Sequence, residues 1–220
     1  RLAYTSAAST TPLWLIRSFD VPTTDPAYSR LANYSWTYDN ALATIAAEQQ
    51  GLVTPADARE AGLDPHRLVD MERRGTIERV TRGVYRFPLL EPNPELGQLA
   101  EATLWANRRG TLSHDTALDL HELCDINPAQ IHITIPTAYR LQKPVPKLYR
   151  IHREDLERGE RTFYEGIPIV TPYRAIAEGI ETGVRADLLR QAIDTARRRG
   201  QVRGPQLSRL RKMLAARGRG

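Results

Sequence analysis

The stretch Gly51–Phe87 constrains the fold more than any other part of the chain. Thr54-Pro55-Ala56-Asp57 is a helix start. The hydroxyl can cap free N–H groups, the proline lacks an N–H that would be orphaned, and the acid sits at the capping-box position. That helix closes at Gly62. Asp64-Pro65 starts a second helix that runs to about Arg74, where Gly75 supplies the stop. A hairpin follows, Ile77–Val80 and Val84–Phe87 around Thr81-Arg82-Gly83, with Gly83 supplying the positive φ of a tight turn. The apolar parity between Ile77 and Val80 is broken, which predicts a bulge or an early turn. Upstream, Leu42, Ile45 and Ala46 recur at helical spacing across Asp39–Gln50, with Asp39 or Asn40 as the cap. Helix, glycine-containing turn, helix and hairpin is the order of a winged helix-turn-helix, assigned here to residues 39–88.

In that arrangement the second helix enters the major groove and its first residues reach base edges. Leu68 and Met71 face the core with Leu63, which leaves His66 and Arg67 as base readers and Arg73 and Arg74 for phosphate. Arginine suits bidentate contact with guanine. Arg79, Thr81, Arg82 and Arg86 belong to the wing, and Thr54 joins the DNA-binding set at the first helix's start. Charge supports the assignment. Residues 73–86 carry a net +4, whereas residues 39–72 carry a net −5. The positive end is where a wing meets the phosphate backbone.

Gly51-Leu52-Val53-Thr54, then Leu68, then Met71-Glu72-Arg73-Arg74-Gly75-Thr76-Ile77-Glu78-Arg79-Val80, then Arg82-Gly83-Val84-Tyr85-Arg86 resemble the N-terminal winged helix of AbiEi-type antitoxins, regulators of abortive-infection toxin–antitoxin systems. Three later runs, Leu112–Leu123, Ile131–Pro136 and Gly166–Ala177, resemble the family's C-terminal region. The resemblance implies a repressor that binds repeats of double-stranded DNA in its own promoter. It also implies a nucleotidyltransferase-like toxin encoded nearby, which the protein counteracts. It sets no oligomeric state.

The rest of the chain reads as follows. Residues 1–38, which begin at Arg1, are rich in Thr, Ser and Pro and lack periodicity, so a disordered tail or an uncertain start is expected. Three prolines in 88–94 predict a linker over 89–97. Residues 98–220 form a small mixed α/β C-terminal domain, giving an α+β fold overall. Helices are expected over Glu95–Asn107, from Ser113 to Leu123, from Thr171-Pro172 onward, and over Arg185–Arg199 and Gly204–Arg217. Strands are expected at Ile131–Ile135, Leu148–His152 and Ile167–Val170. The terminal helices are basic: residues 185–220 carry a net +9 out of a chain total of +5. Arg190, Arg197, Arg198, Arg199, Arg203, Arg209, Arg211 and Lys212 form either a second nucleic-acid surface or the solvated face of helices whose cores are Leu188, Leu189, Ala192, Ile193, Leu207, Leu210 and Leu214. Contact with an acidic toxin or with RNA is a further use.

A single cysteine, Cys124, fits a reducing compartment, and no run approaches the ~20 apolar residues of a membrane span, so the expected location is cytoplasmic. Ser113, His114 and Asp115 are adjacent at a helix start, where side chains diverge, so a helix cap is expected rather than a hydrolytic relay. His114, His121, Cys124 and His132 show no short metal-ligand spacing, so no metal and no cofactor are expected. A restriction-like nuclease needs acid-x-Lys, and none of the three lysines, Lys143, Lys147 and Lys212, completes one. No catalysis is expected. The rival from another class is a protein-interaction module that neutralises a partner toxin directly.

Overall fold

A computed structural model of the chain describes residues 39–88 and 94–218. The expectation for residues 1–38 and most of the linker segment lie outside the described residues. The N-terminal part comprises α1 (Asp39–Glu48), β1 (Leu52–Val53), α2 (Pro55–Glu60), α3 (His66–Arg73), β2 (Glu78–Thr81) and β3 (Val84–Arg86). The C-terminal part comprises α4 (Pro94–Trp105), β4 (Thr111–Leu112), α5 (His114–Leu120), β5 (Ile131–Ile135), β6 (Tyr149–Arg153), β7 (Arg161–Tyr164), β8 (Ile167–Val170), α6 (Pro172–Thr182), α7 (Ala186–Arg198) and α8 (Gly204–Arg217). Helix α4 begins inside the segment read as a linker. Mixed α+β with two sheets is therefore the observed class. No helix among the described residues is long and apolar enough to cross a membrane.

The capping box at Thr54 forms as expected: its hydroxyl accepts from the Asp57 N–H, and its own N–H donates to the Asp57 carboxylate at 2.7 Å. Gly62 and Gly75 close α2 and α3 at φ +73° and +71°, values that L side chains rarely adopt. The three-stranded sheet has the order β1-β3-β2, antiparallel throughout. Its register slips between Arg79 and Thr81, the bulge that the broken parity called for. Leu42, Ala46, Val53, Ala58, Leu68, Met71, Ile77, Tyr85 and Phe87 are buried in this part.

The second sheet has the order β6-β5-β4-β8-β7. β5 and β6 are parallel, as are β4 and β8, and the remaining pairs are antiparallel. Helix α4 packs on β4, β5 and β8, α5 packs on β5, and α6 packs against α5, α7 and α8. The buried faces of α6 to α8 supply Ile176, Ile180, Leu189, Ile193 and Leu210.

One core runs through both parts. Leu52 of β1 and Val84 of β3, each fully buried, belong to the same apolar cluster as Trp105, Leu112, Ile133 and Ile169. Helix α4 makes this continuity, since it touches β1 and β3 as well as the second sheet. Polar ties reinforce it. Arg108, just past α4, meets Asp57 at 3.2 Å and Glu60 at 2.7 Å. The Gln50 amide donates to the Glu165 carbonyl in the β7–β8 turn at 3.3 Å.

Candidate functional site

Side chains of α3 and the β2–β3 hairpin form the exposed basic surface of the N-terminal part. His66, Arg73, Arg74, Arg79 and Arg82 are exposed, and Arg67 and Thr81 are half-buried. Arg73 lies 3.6 Å from Asp70, with both side chains more than half exposed, so this pair holds Arg73 weakly. The Arg74 Nε donates to the Asp70 carbonyl at 3.1 Å. The two-residue turn Arg82-Gly83 puts Arg82 at the hairpin tip, with Gly83 at φ +81°.

Two residues assigned to DNA sit elsewhere. Thr54 is 3% exposed, and its hydroxyl and N–H are both bonded to Asp57, so its chemistry is spent inside the cap. Arg86 is half-buried on β3, the central strand, with its Nε enclosed. Its charge lowers the Glu101 carboxyl of α4 against a larger upward push from burial. It therefore points into the junction with the C-terminal part. Parity along the hairpin could not reveal this, because β3 is covered on both edges and on the α4 side.

One residue was missed. Lys143, in the loop between β5 and β6, donates to the Arg82 carbonyl at 3.3 Å and stands 4.7 Å from the centre of the Trp105 ring. Burial lowers its pKa, and Arg82 lowers it further. The C-terminal part thus adds a cation at the hairpin tip.

The basic set on α7, α8 and the segment between them is exposed throughout: Arg190, Arg197, Arg198, Arg199, Arg203, Arg209, Arg211 and Lys212. Several have local roles. Arg199 pairs with Glu122 at 3.0 Å, Arg197 lies 3.9 Å from Asp194, and Arg203 donates to the Gly200 carbonyl.

A histidine cluster lies on three elements of the C-terminal part. His114 opens α5, His132 is on β5 and His152 on β6, and one ring nitrogen from each lies within 4.8 Å of the others. His132 Nδ1 and His152 Nε2 are 3.2 Å apart, and the His114 and His152 rings stack with centroids 3.4 Å apart. Ser113 does not cap α5 through its side chain. Its Oγ lies 2.9 Å from His114 Nδ1 and accepts from Thr134 Oγ1 at 2.8 Å. The expectation that neighbouring side chains diverge fails because His114 has φ +53°, outside helical geometry, which turns its ring back over Ser113. Glu178 of α6, 1% exposed, holds that conformation by accepting the His114 backbone N–H at 2.8 Å. Arg174 in turn bonds Glu178 at 3.1 Å and Glu160 at 3.2 Å, and pairs with Glu154.

Burial, then the neighbouring imidazoles and arginines, pulls His114 down to about 3. Burial and Arg150 pull His132 down to about 4. Burial, His132 and Arg150 take His152 to about 4 against the opposing charge of Asp115. All three are neutral at pH 7. His121 and Cys124 do not join them. His121 is bonded to the Val170 carbonyl at 2.8 Å, and burial pushes the Cys124 thiol up to about 11.

Residues 40–88 match the family model described as transcriptional regulator, AbiEi antitoxin. Over that segment the chain is similar to AbiEi antitoxin regulators. The resemblance drawn from Gly51–Arg86 is thereby borne out over that segment, and the match does not extend into the C-terminal part. Among solved structures the chain is similar to the RV2827C protein from Mycobacterium tuberculosis, at 20% identity over 79% of this chain and 71% of that one, with a TM-score of 0.46. No curated protein matches the chain.

Proposed function

We propose that this AbiEi-type chain is a sequence-specific DNA-binding repressor, the antitoxin of an AbiE-like system that occupies its own promoter. The observation that carries the reading is the exposed basic surface made by α3 and the hairpin within the family-matched segment. In this reading residues 39–88 are a winged helix-turn-helix with α3 as the reading helix. His66 and Arg67 approach bases, and Arg73, Arg74, Arg79, Arg82 and Thr81 hold phosphate, joined by Lys143. Thr54 and Arg86 support the module from inside. The cognate toxin is a nucleotidyltransferase-like protein encoded nearby, and the reading involves no catalysis by this chain.

The test is a gel shift with the DNA upstream of the protein's own gene. With about six phosphates neutralised, affinity should fall roughly a thousandfold between 50 and 200 mM salt. Absence of a shift at low salt by folded protein would sink the reading, and a flat salt response would remove the phosphate contacts from it.

A further inference from the structure

The histidine cluster has the makings of a metal site that neither DNA binding nor the antitoxin role requires. Three imidazoles from three separate elements converge, with one ring nitrogen of each within 4.8 Å of the others. The spacing between two of them already suits one ion. Nitrogens bound at about 2.0–2.1 Å to one tetrahedral ion lie roughly 3.3 Å apart, and His132 and His152 stand at 3.2 Å.

The surroundings carry charge of both signs. His132 and His152 line a cavity of about 310 Å³ together with Asp115, Gln130, Thr182 and Gly183. Thr182 and Gly183 form the C-terminus of α6, where the Arg217 guanidinium already donates to the Ile180 and Val184 carbonyls. Asp115 adds a carboxylate, offset in part by Arg150 on the same wall. Behind His114 stands the arrangement that orients metal-bound histidines. Its Nδ1 faces Ser113 Oγ at 2.9 Å and the buried Glu178 carboxylate at 3.4 Å, leaving Nε2 as the ligand nitrogen. The strained φ of His114, held by Glu178, turns the ring back over Ser113 and onto the His152 ring, a placement that regular helix geometry would not give.

We propose that His114, His132 and His152 bind a divalent transition metal of the Zn²⁺ class, with Glu178 as a positioning residue and a fourth position open to the cavity. A metal lies in the plane of each ring it bonds. The stacked His114 and His152 rings, 14° from parallel, must therefore rotate apart when the ion enters.

The test uses the full chain, stripped of metal by a chelator, and Zn²⁺ alone, with a chromophoric chelator as competitor. One equivalent should bind. His132→Ala and His152→Ala should each weaken binding by at least tenfold, and Glu178→Gln by about 10–100-fold. His66→Ala, on α3 and not among the three converging rings, should bind Zn²⁺ as the parent does. The imidazole NMR signals of His114, His132 and His152 should shift on Zn²⁺ addition while those of His66 and His121 stay, a measurement on the parent chain that does not depend on any variant folding. No stoichiometric uptake by folded parent protein would overturn the site. So would uptake undiminished in His132→Ala and His152→Ala, or shifts confined to His66 or His121. None of these outcomes bears on the gel shift.

Discussion

Leu52→Ala tests whether the family-matched N-terminal part and the C-terminal part are one cooperative body. Leu52 is fully buried on β1, and its cluster includes Trp105, Ile133 and Ile169 of the other part. The substitution removes three carbons, about 2.4 kcal/mol of transfer energy at ~0.8 kcal/mol each. A residual cavity adds to this, and buried Leu→Ala changes fall at roughly 3–5 kcal/mol in all. For a body of this size each kcal/mol lowers the melting temperature by about 2–4 °C, so a fall on the order of 6–20 °C is expected. The assay is thermal unfolding followed by circular dichroism, paired with hydrogen exchange read by mass spectrometry at β3 and at β5. Both strands should lose protection together, and the melt should stay a single transition. If β3 became labile while β5 kept its parent protection, the shared core would be energetically divisible and the reasoning would fail.

Three further outcomes follow from particular contacts. Gly166→Ala places a methyl 2.8 Å from the Glu48 carbonyl oxygen at a φ of +79°, and the combined strain and overpacking should cost about 2–5 kcal/mol in a thermal melt. Loss of under ~0.5 kcal/mol would mean that the β7–β8 turn does not bear on α1. In the metal-free protein the His132 and His152 imidazoles should stay neutral down to about pH 4 by NMR, and a midpoint near 6.5 would contradict their burial. Their lowered values mean that the unfolded chain takes up protons below pH ~6.5 that the folded chain refuses, so these groups subtract stability as pH falls from 6.5 towards 4. Glu178, raised by burial to about 7, opposes this in part, since the folded chain protonates it first. Arg82→Ala and Lys143→Ala should each weaken binding to all DNA sequences alike and lower the salt slope by about one, whereas Arg67→Ala should cost about 1–3 kcal/mol on the preferred sequence and relax its choice of base. Equal loss on specific and random DNA for Arg67→Ala would refute its role as a base reader.

Elements bounded by strong local signals were legible from the sequence. Thr54-Pro55, Thr171-Pro172, Gly62 and Gly75 each mark a boundary that needs no tertiary context, and the observed helices begin or end there. β4 and β7 were not expected. β4 has only two residues, Thr111 and Leu112, and exists because β5 and β8 flank it. β7 carries Phe163 on an exposed face, so its apolar pattern points outward and does not announce a strand. Charge along the chain marked the basic hairpin but not its faces, which is why Arg86 was assigned outward when the packing of α4 turns it inward. The histidine cluster escaped because short spacing detects ligands on one element, and these come from α5, β5 and β6. His152 gave no local sign at all.

The continuity of the core through Leu52, Val84 and α4 also limits how this molecule can use its two basic surfaces. Domains on a flexible tether can each find their own stretch of DNA, with the linker setting their effective concentration. Here no such search is open. Were the α3–hairpin and α7–α8 surfaces both to contact DNA, the shared core would fix their placement and a duplex touching both would follow a single path over the protein. A straight duplex that misses that path would then engage one surface only, and a bent one that follows it would gain the second set of contacts with no tether to order, bringing the stiffness of the DNA between them into the specificity.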